Sequence, residues 1–162
     1  NKEVVIIGGG MVGLSIAYQL IDRNISNNIA LIEKEKKLGQ HSSGRNSGVI
    51  HAGLYYKPNT LKAKVCVKGG IRLKEWMKKH KLNINNCGKV IVPTSSDLDS
   101  QLDLLYERGK QNGALVEFID NNKLKELVPC SQAITNRALW SPNTSVVNPR
   151  EIPEKSRYIA TF

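Results

Sequence analysis

The first apolar run of this chain stops on glycine. Val4-Val5-Ile6-Ile7 leads directly into Gly8-Gly9-Gly10, and Gly13 follows three residues later. An apolar strand, a G-x-G-x-x-G spacing and a helical pattern in immediate succession restrict the segment to a strand, a tight turn and a helix that starts on the turn. Each glycine then has a separate task. Gly8 permits the turn, Gly10 lets a pyrophosphate approach the backbone, and Gly13 lets the helix pack closely on the strand. The first helical N–H groups, at Met11 and Val12, together with the positive end of the helix dipole, suit phosphate oxygens.

The following residues complete a βαβ unit. Gly13, Ala17, Leu20 and Ile21 recur at helical spacing, and Asn24–Asn28 is a polar stop. Ile29-Ala30-Leu31-Ile32 is continuously apolar, as expected of a parallel strand covered on both faces. Glu33 ends it, where an acid binds a ribose hydroxyl, with Lys34 beside it. The fingerprint alone does not separate NAD from FAD. The next segment, Gly39-Gln40-His41-Ser42-Ser43-Gly44-Arg45-Asn46-Ser47-Gly48, is too polar for a core and too glycine-rich for a helix. Its small side chains would let a flat ring system lie against the backbone among many donors.

From Gly44 the chain reads GRNSGVIHAGLYYKP, and it continues through Leu61–Cys66, Cys87-Gly88-Lys89-Val90-Ile91-Val92, Leu105–Gly113 and Ser141–Thr144. In these motifs it resembles the L-2-hydroxyglutarate dehydrogenase/oxidase family, FAD enzymes of the D-amino-acid-oxidase-like superfamily. The resemblance implies an α/β fold: a Rossmann-like FAD-binding βαβ unit in residues 1–86 with a flavin loop at 39–57. The start of an α+β substrate domain is expected in 87–150, and 151–162 is left unassigned. Thr144-Ser145-Val146-Val147-Asn148 departs from the family's Thr-Gly-Ile-Val-Asp type of run, and residues 151–162 do not match it. Complete members are more than twice as long, so the chain reads as an N-terminal portion.

The resemblance also implies roles. Gly8, Gly10, Met11, Val12, Gly13, Glu33 and Lys34 would hold FAD, joined by His41, Ser42, Ser43, Arg45, Asn46, Ser47, Gly48 and Val49. His51 would stand beside the flavin as catalytic base, since a near-neutral pKa suits removal of a hydroxyl proton. Tyr55, Tyr56 and Lys57 would line the substrate side, Lys57 pairing with a carboxylate. The expected reaction oxidises a 2-hydroxy acid, L-2-hydroxyglutarate first, to the 2-oxo acid by hydride transfer to flavin. Two alternatives stand: another enzyme of the superfamily, acting on glycerol 3-phosphate or an amino acid, and a truncated, non-catalytic FAD-binding fragment. The expected electron acceptor is oxygen or a quinone pool.

Composition narrows the rest. With 24 Lys+Arg against 14 Asp+Glu the net charge is +10. Lysines such as Lys74, Lys78 and Lys79 are spread along one helical stretch and read as a solvated face, with attraction of an anionic substrate or an acidic membrane surface as the functional readings. No motif supports nucleic acid as a partner. Cys66, Cys87 and Cys130 are widely spaced; they read as reduced thiols of an intracellular protein, and no metal site is expected. No apolar run approaches the roughly 18 residues that span a bilayer. The expected location is cytoplasmic with peripheral contact at the inner membrane, mitochondrial in a eukaryote.

Further elements follow from periodicity. A helix is expected from Leu61 to His80, with Gly69-Gly70 marking close packing or a break, and a strand at 89–92. A helix is expected from Ser96 to its end at Asn112-Gly113, a strand at 115–119, a short helix capped by Asp120, and a strand at 138–140.

Overall fold

A computed structural model describes residues 2–159 of the chain. In chain order its elements are β1 (Val4–Ile7), α1 (Met11–Asp22), β2 (Ile29–Ile32), β3 (Val49–Ile50), α2 (Leu61–Lys79), β4 (Lys89–Ile91), α3 (Ser100–Gln111), β5 (Glu117–Ile119), α4 (Asn121–Leu127), β6 (Ala138–Ser141), β7 (Ser145–Val146) and α5 (Glu151–Ile159). They form two compact units that interleave in sequence. Among the described residues, the first holds 2–48, 77–83 and 147–159; the second holds 49–76 and 84–146. Residues 49–76, expected with the nucleotide-binding part, group with the second unit because β3 pairs with β7.

In the first unit β1 and β2 pair in parallel, Val4 opposite Ile29 and Ile7 opposite Ile32. Ile6 and Ile29 meet Ala17 of α1, and Val4, Leu20, Ile21 and Leu31 close this cluster. The βαβ expectation is met, with one correction. Ile29–Ile32 is covered on one face only. Side chains alternate across a strand, so Val5, Ile7 and Ile32 point the other way, and Ile7 is 85% exposed. The sheet is two strands wide.

The segment left unassigned at 151–162 contains a helix, α5, packed against α1; residues 160–162 lie outside the described residues. Pro153 is tolerated there because it sits in the first turn, where its missing N–H has no intrahelical acceptor. Ile152, Pro153 and Ser156 are buried. His80, expected to be solvated, is half-buried with its ring edge-on to Tyr18, 6.4 Å between centres.

The second unit is built on the antiparallel order β4-β6-β5. Leu139 of β6 faces Leu54, Leu102 and Val116, with Ile91 and Leu105 alongside. Its neighbour Ala138 faces the opposite side, with Leu124, Ala133, Val90 and Ile119. The period of two thus gives the sheet an α3 side and an α4 side, as an α+β unit requires. Asp120 caps α4, its Oδ1 accepting from Lys123 N at 2.8 Å. The helix expected from Ser96 begins at Ser100, after a 3-10 turn at Ser96–Leu98. Asp99 precedes it and is ion-paired with Arg137 of the loop before β6. The strands at 89–92 and 115–119 are shorter than expected, ending at Ile91 before Pro93 and starting at Glu117. α2 is unbroken at Gly69-Gly70: a Cβ on Gly70 would stand 3.3 Å from the His51 carbonyl, so this glycine serves close packing. Among the described residues no helix is long and apolar enough to cross a membrane.

Candidate functional site

The glycine turn carries the first group of predicted residues. Gly8 has φ +104, a conformation that L side chains avoid, and its N–H donates to Ile32 O at 2.7 Å. A Cβ on Gly13 would lie 2.1 Å from Gly8 O, so helix and turn approach as closely as glycine allows. Residues 33–43 fold back over this turn. Gly39 N donates to Gly9 O at 3.0 Å, and Met11 N, at the start of α1, donates to Ser43 Oγ at 3.0 Å. Ser43 accepts there and keeps its own proton to donate. A Cβ on Gly10 would come within 3.0 Å of that hydroxyl, whereas nothing lies within 4 Å of one on Gly8. An open cradle at a helix start, with the Ser43 hydroxyl proton held ready by the Met11 N–H, fits a dinucleotide diphosphate.

Glu33 does more than the fingerprint suggests. Its Oε2 accepts from Gly9 N at 2.7 Å and its Oε1 from Glu35 N at 3.0 Å. These backbone donors, Glu35 first and Gly9 second, hold the carboxyl below its ordinary value of 4.5. Each oxygen retains a lone pair for a ribose hydroxyl. Because the folded-state pKa is lowered, the stabilisation is complete above the ordinary carboxylate range and is lost as pH falls through it. Glu33→Gln should therefore flatten the acid limb of thermal stability. It should also lower stability at neutral pH, because an amide cannot accept from both N–H groups. Melting curves across pH 3–7 check this, and superimposable curves would refute it.

The loop residues divide. Asn46 works within the loop: its Nδ2 donates to the Ser42 and Ser43 carbonyls, both at 3.0 Å, and its Oδ1 accepts from Gly48 N at 2.9 Å. His41 Nε2 pairs with Glu35 at 2.9 Å, and Lys34 approaches the same carboxylate at 3.7 Å on an exposed surface. Ser42, Arg45 and Ser47 are exposed. Arg45 lines a 320 Å3 cavity with Lys37, Gly44, Arg150 and Glu154. Gly39, with φ +66, lies flat against Pro153 of α5, where a Cβ would meet the ring at 2.6 Å. The tail helix thus supports the loop, a role with no family motif to announce it. Val49 opens β3, opposite Val146.

In the second unit His51 follows β3. Its ring meets Tyr55 edge-on, with centres 5.8 Å apart. Lys89 stands 4.5 Å from the centre of the Tyr55 ring and donates to the Tyr55 hydroxyl. His51 is exposed at its outer edge, and desolvation on the packed side first, with the Lys89 charge second, holds its pKa below 6.5. His51 also borders a 290 Å3 cavity with Val67, Lys74, Glu75 and Asn143. The trio Tyr55, Tyr56 and Lys57 does not stay together. Tyr55 adjoins His51; the Tyr56 ring lies under Lys62 at 5.5 Å; Lys57 is exposed, its carbonyl accepting from Thr60 Oγ1 at 2.7 Å. Residue-by-residue reading missed Lys89, whose place beside His51 depends on the β4–β6 register. Its one local signal was the Cys87-Gly88-Lys89 motif.

Comparison with known proteins agrees with this fold. The family described as DAO, FAD dependent oxidoreductase, matches residues 3–152. The chain is 45% identical over 147 residues to the mitochondrial L-2-hydroxyglutarate dehydrogenase of Caenorhabditis elegans, covering 90% of this chain and 34% of that protein. It is 41% identical over 151 residues to the human mitochondrial protein of the same name, covering 93% and 32%. It is 39% identical over 154 residues to the L-2-hydroxyglutarate dehydrogenase of Indibacter alkaliphilus, covering 94% and 38%. The chain thus spans about a third of the length of these relatives. Among solved structures, the FAD-bound L-alpha-glycerophosphate oxidase of Mycoplasma pneumoniae superposes with a TM-score of 0.83 at 25% identity, over 98% of this chain and 42% of that one. Glycine oxidase from Geobacillus kaustophilus has the same fold, with a TM-score of 0.84 at 18% identity over 98% and 44%. The glycine fingerprint, the parallel βαβ unit and a family match over residues 3–152 assign this chain to the DAO family of FAD-dependent oxidoreductases.

Proposed function

We propose that the protein containing this chain oxidises a 2-hydroxy acid, L-2-hydroxyglutarate in the first place, to the 2-oxo acid. The observation that carries this reading is 39–45% identity, over about nine-tenths of the chain, to proteins named for that dehydrogenase. FAD, when bound, supplies the two-electron redox chemistry. The Ser43 hydroxyl, whose oxygen takes the Met11 N–H, and the next N–H of the first helical turn, at Val12, would hold its diphosphate. Glu33 would take the ribose, and the exposed side chains of Ser42, Arg45 and Ser47 would offer further donors, with His41 turned to Glu35. His51, kept neutral, accepts the substrate's hydroxyl proton on an imidazole nitrogen as the adjacent C–H bond breaks. Tyr55 orients that ring.

The partners in this reading are the 2-hydroxy acid and oxygen or a quinone as final electron acceptor. The location is mitochondrial in a eukaryote, as in the named relatives, or cytoplasmic in a bacterium, with contact at the inner membrane. The test is anaerobic mixing of the full-length, FAD-loaded protein with L-2-hydroxyglutarate, its D-isomer, glycerol 3-phosphate and glycine. We expect the L-2-hydroxy acid alone to bleach the flavin within the turnover time. Bleaching by glycerol 3-phosphate or glycine instead would move the protein to another branch of the family, and bleaching by none would favour a non-catalytic role.

A further inference from the structure

His51 is held at its backbone and at its ring. From α2, the Cys66 thiol donates to the His51 carbonyl at 3.7 Å, and Gly70 lets the helix approach that same carbonyl. These contacts fix the backbone. The ring is met by Tyr55, and Tyr55 is in turn held by Lys89, whose ammonium donates to its hydroxyl. Lys89 is itself rigidly delivered. Gly88, with φ +68, lies flat on the Trp140 ring, where a Cβ would overlap it, and Lys89 then pairs opposite Ser141 in the β4–β6 ladder. A lysine fixed by sheet register, with its ammonium on a phenol that touches a histidine, is an arrangement that solubility does not require.

We propose that Lys89 is a positioning residue for His51: it holds the Tyr55 ring against the imidazole and sets a positive charge on that side of it, which fixes the ring's orientation. This rests on the proposed role of His51 as base. The other groups facing His51 do not substitute for Lys89. Lys74 and Glu75 of α2 border the same cavity with opposite charges, and Lys74 Nζ donates to Asn143 O at 2.5 Å. Burial pushes the Cys66 thiol up, so it stays neutral. Lys57, on the same loop, is exposed. A cation beside a histidine disfavours a second cation, so the base form persists to lower pH than in free histidine.

The test uses the full-length, FAD-loaded protein and its K89M and K89R variants. The His51 imidazole is titrated by NMR, its signal identified by its loss in H51A, and the pH profile of substrate-driven flavin reduction is recorded in parallel. In K89M the His51 pKa should rise by about half a unit or more, and the acid limb of the rate profile should follow. At a pH on that limb the rate then falls about threefold or more, while it converges toward wild type at high pH. K89R should restore both. Y55F keeps the ring and removes the hydroxyl that Lys89 holds; a shift in the same direction there supports the proposal even if K89M fails to fold. Unchanged titration of His51 in K89M and Y55F would overturn it. A moved titration with an unmoved rate profile sustains the coupling and overturns the role of His51 as base, so the two failures are distinguishable.

Discussion

Replacing His51 by alanine in the full-length, FAD-loaded protein should slow substrate-driven flavin reduction by about 10²-fold or more, with flavin content unchanged. The size follows from the proton. When the C–H bond of a 2-hydroxy acid breaks, its hydroxyl must lose a proton, and an alcohol gives that proton to water at neutral pH only with difficulty. A positioned imidazole is a suitable acceptor near pH 7, and more so when desolvation and a nearby cation keep it neutral. A loss of 10²-fold corresponds to about 2.7 kcal/mol of transition-state stabilisation. Flavin content should hold because the residues proposed for the cofactor are chiefly Gly8–Gly13, Glu33 and Ser43. The acid limb of the rate profile should vanish in the variant, since the group that titrates there is gone. Stopped-flow absorbance under anaerobic conditions measures both quantities. A rate within threefold of wild type would remove His51 from the chemistry.

What could be read in advance was what is local. Gly8, Gly10 and Gly13 are spaced within one turn, and Val4–Ile7 and Ile29–Ile32 are continuous apolar runs, so β1–α1–β2 followed from neighbours in sequence. The two-residue strands β3 and β7 did not. Their pairing joins Val49 to Val146, a separation that no periodicity reports. α5 was hidden by Pro153, which reads as a breaker until its place in the first turn is known. The site shows the same division. His51 and the loop at 39–48 carried a family motif, whereas Lys89 reaches His51 through strand register, and α5 supports the loop through a contact between Pro153 and Gly39. Asn46 lay inside the motif, yet its amide closes the loop on itself, a distinction that needs coordinates. Tyr55, Tyr56 and Lys57 are consecutive, and a turn after β3 sends their side chains apart.

Two helical glycines should respond to alanine with opposite signs. In α2, nothing lies within 4 Å of a Cβ on Gly69, and the residue is exposed. Alanine there removes backbone freedom from the unfolded chain and adds no clash, so Gly69→Ala should stabilise by about 0.5–1 kcal/mol. In α1 the same substitution meets the backbone. The new Cβ of Gly13→Ala would stand 2.1 Å from Gly8 O and 3.2 Å from Ile6 Cγ2. A carbonyl whose own residue is tied to Ile32 O cannot step aside cheaply, so α1 must lift from β1. The helix-propensity gain of about 1 kcal/mol is then outweighed by overpacking of about 3 kcal/mol or more. The lifted helix also moves the Met11 N–H from Ser43, which opens the cradle proposed for the diphosphate. Gly13→Ala should therefore cost about 2 kcal/mol net and most of the bound flavin. Urea unfolding and the ratio of flavin to protein absorbance, measured for both variants in the full-length protein, decide the matter. Equal, small effects at the two positions would show that the glycine turn tolerates a methyl group and that the close approach of helix and turn does not shape the cofactor site.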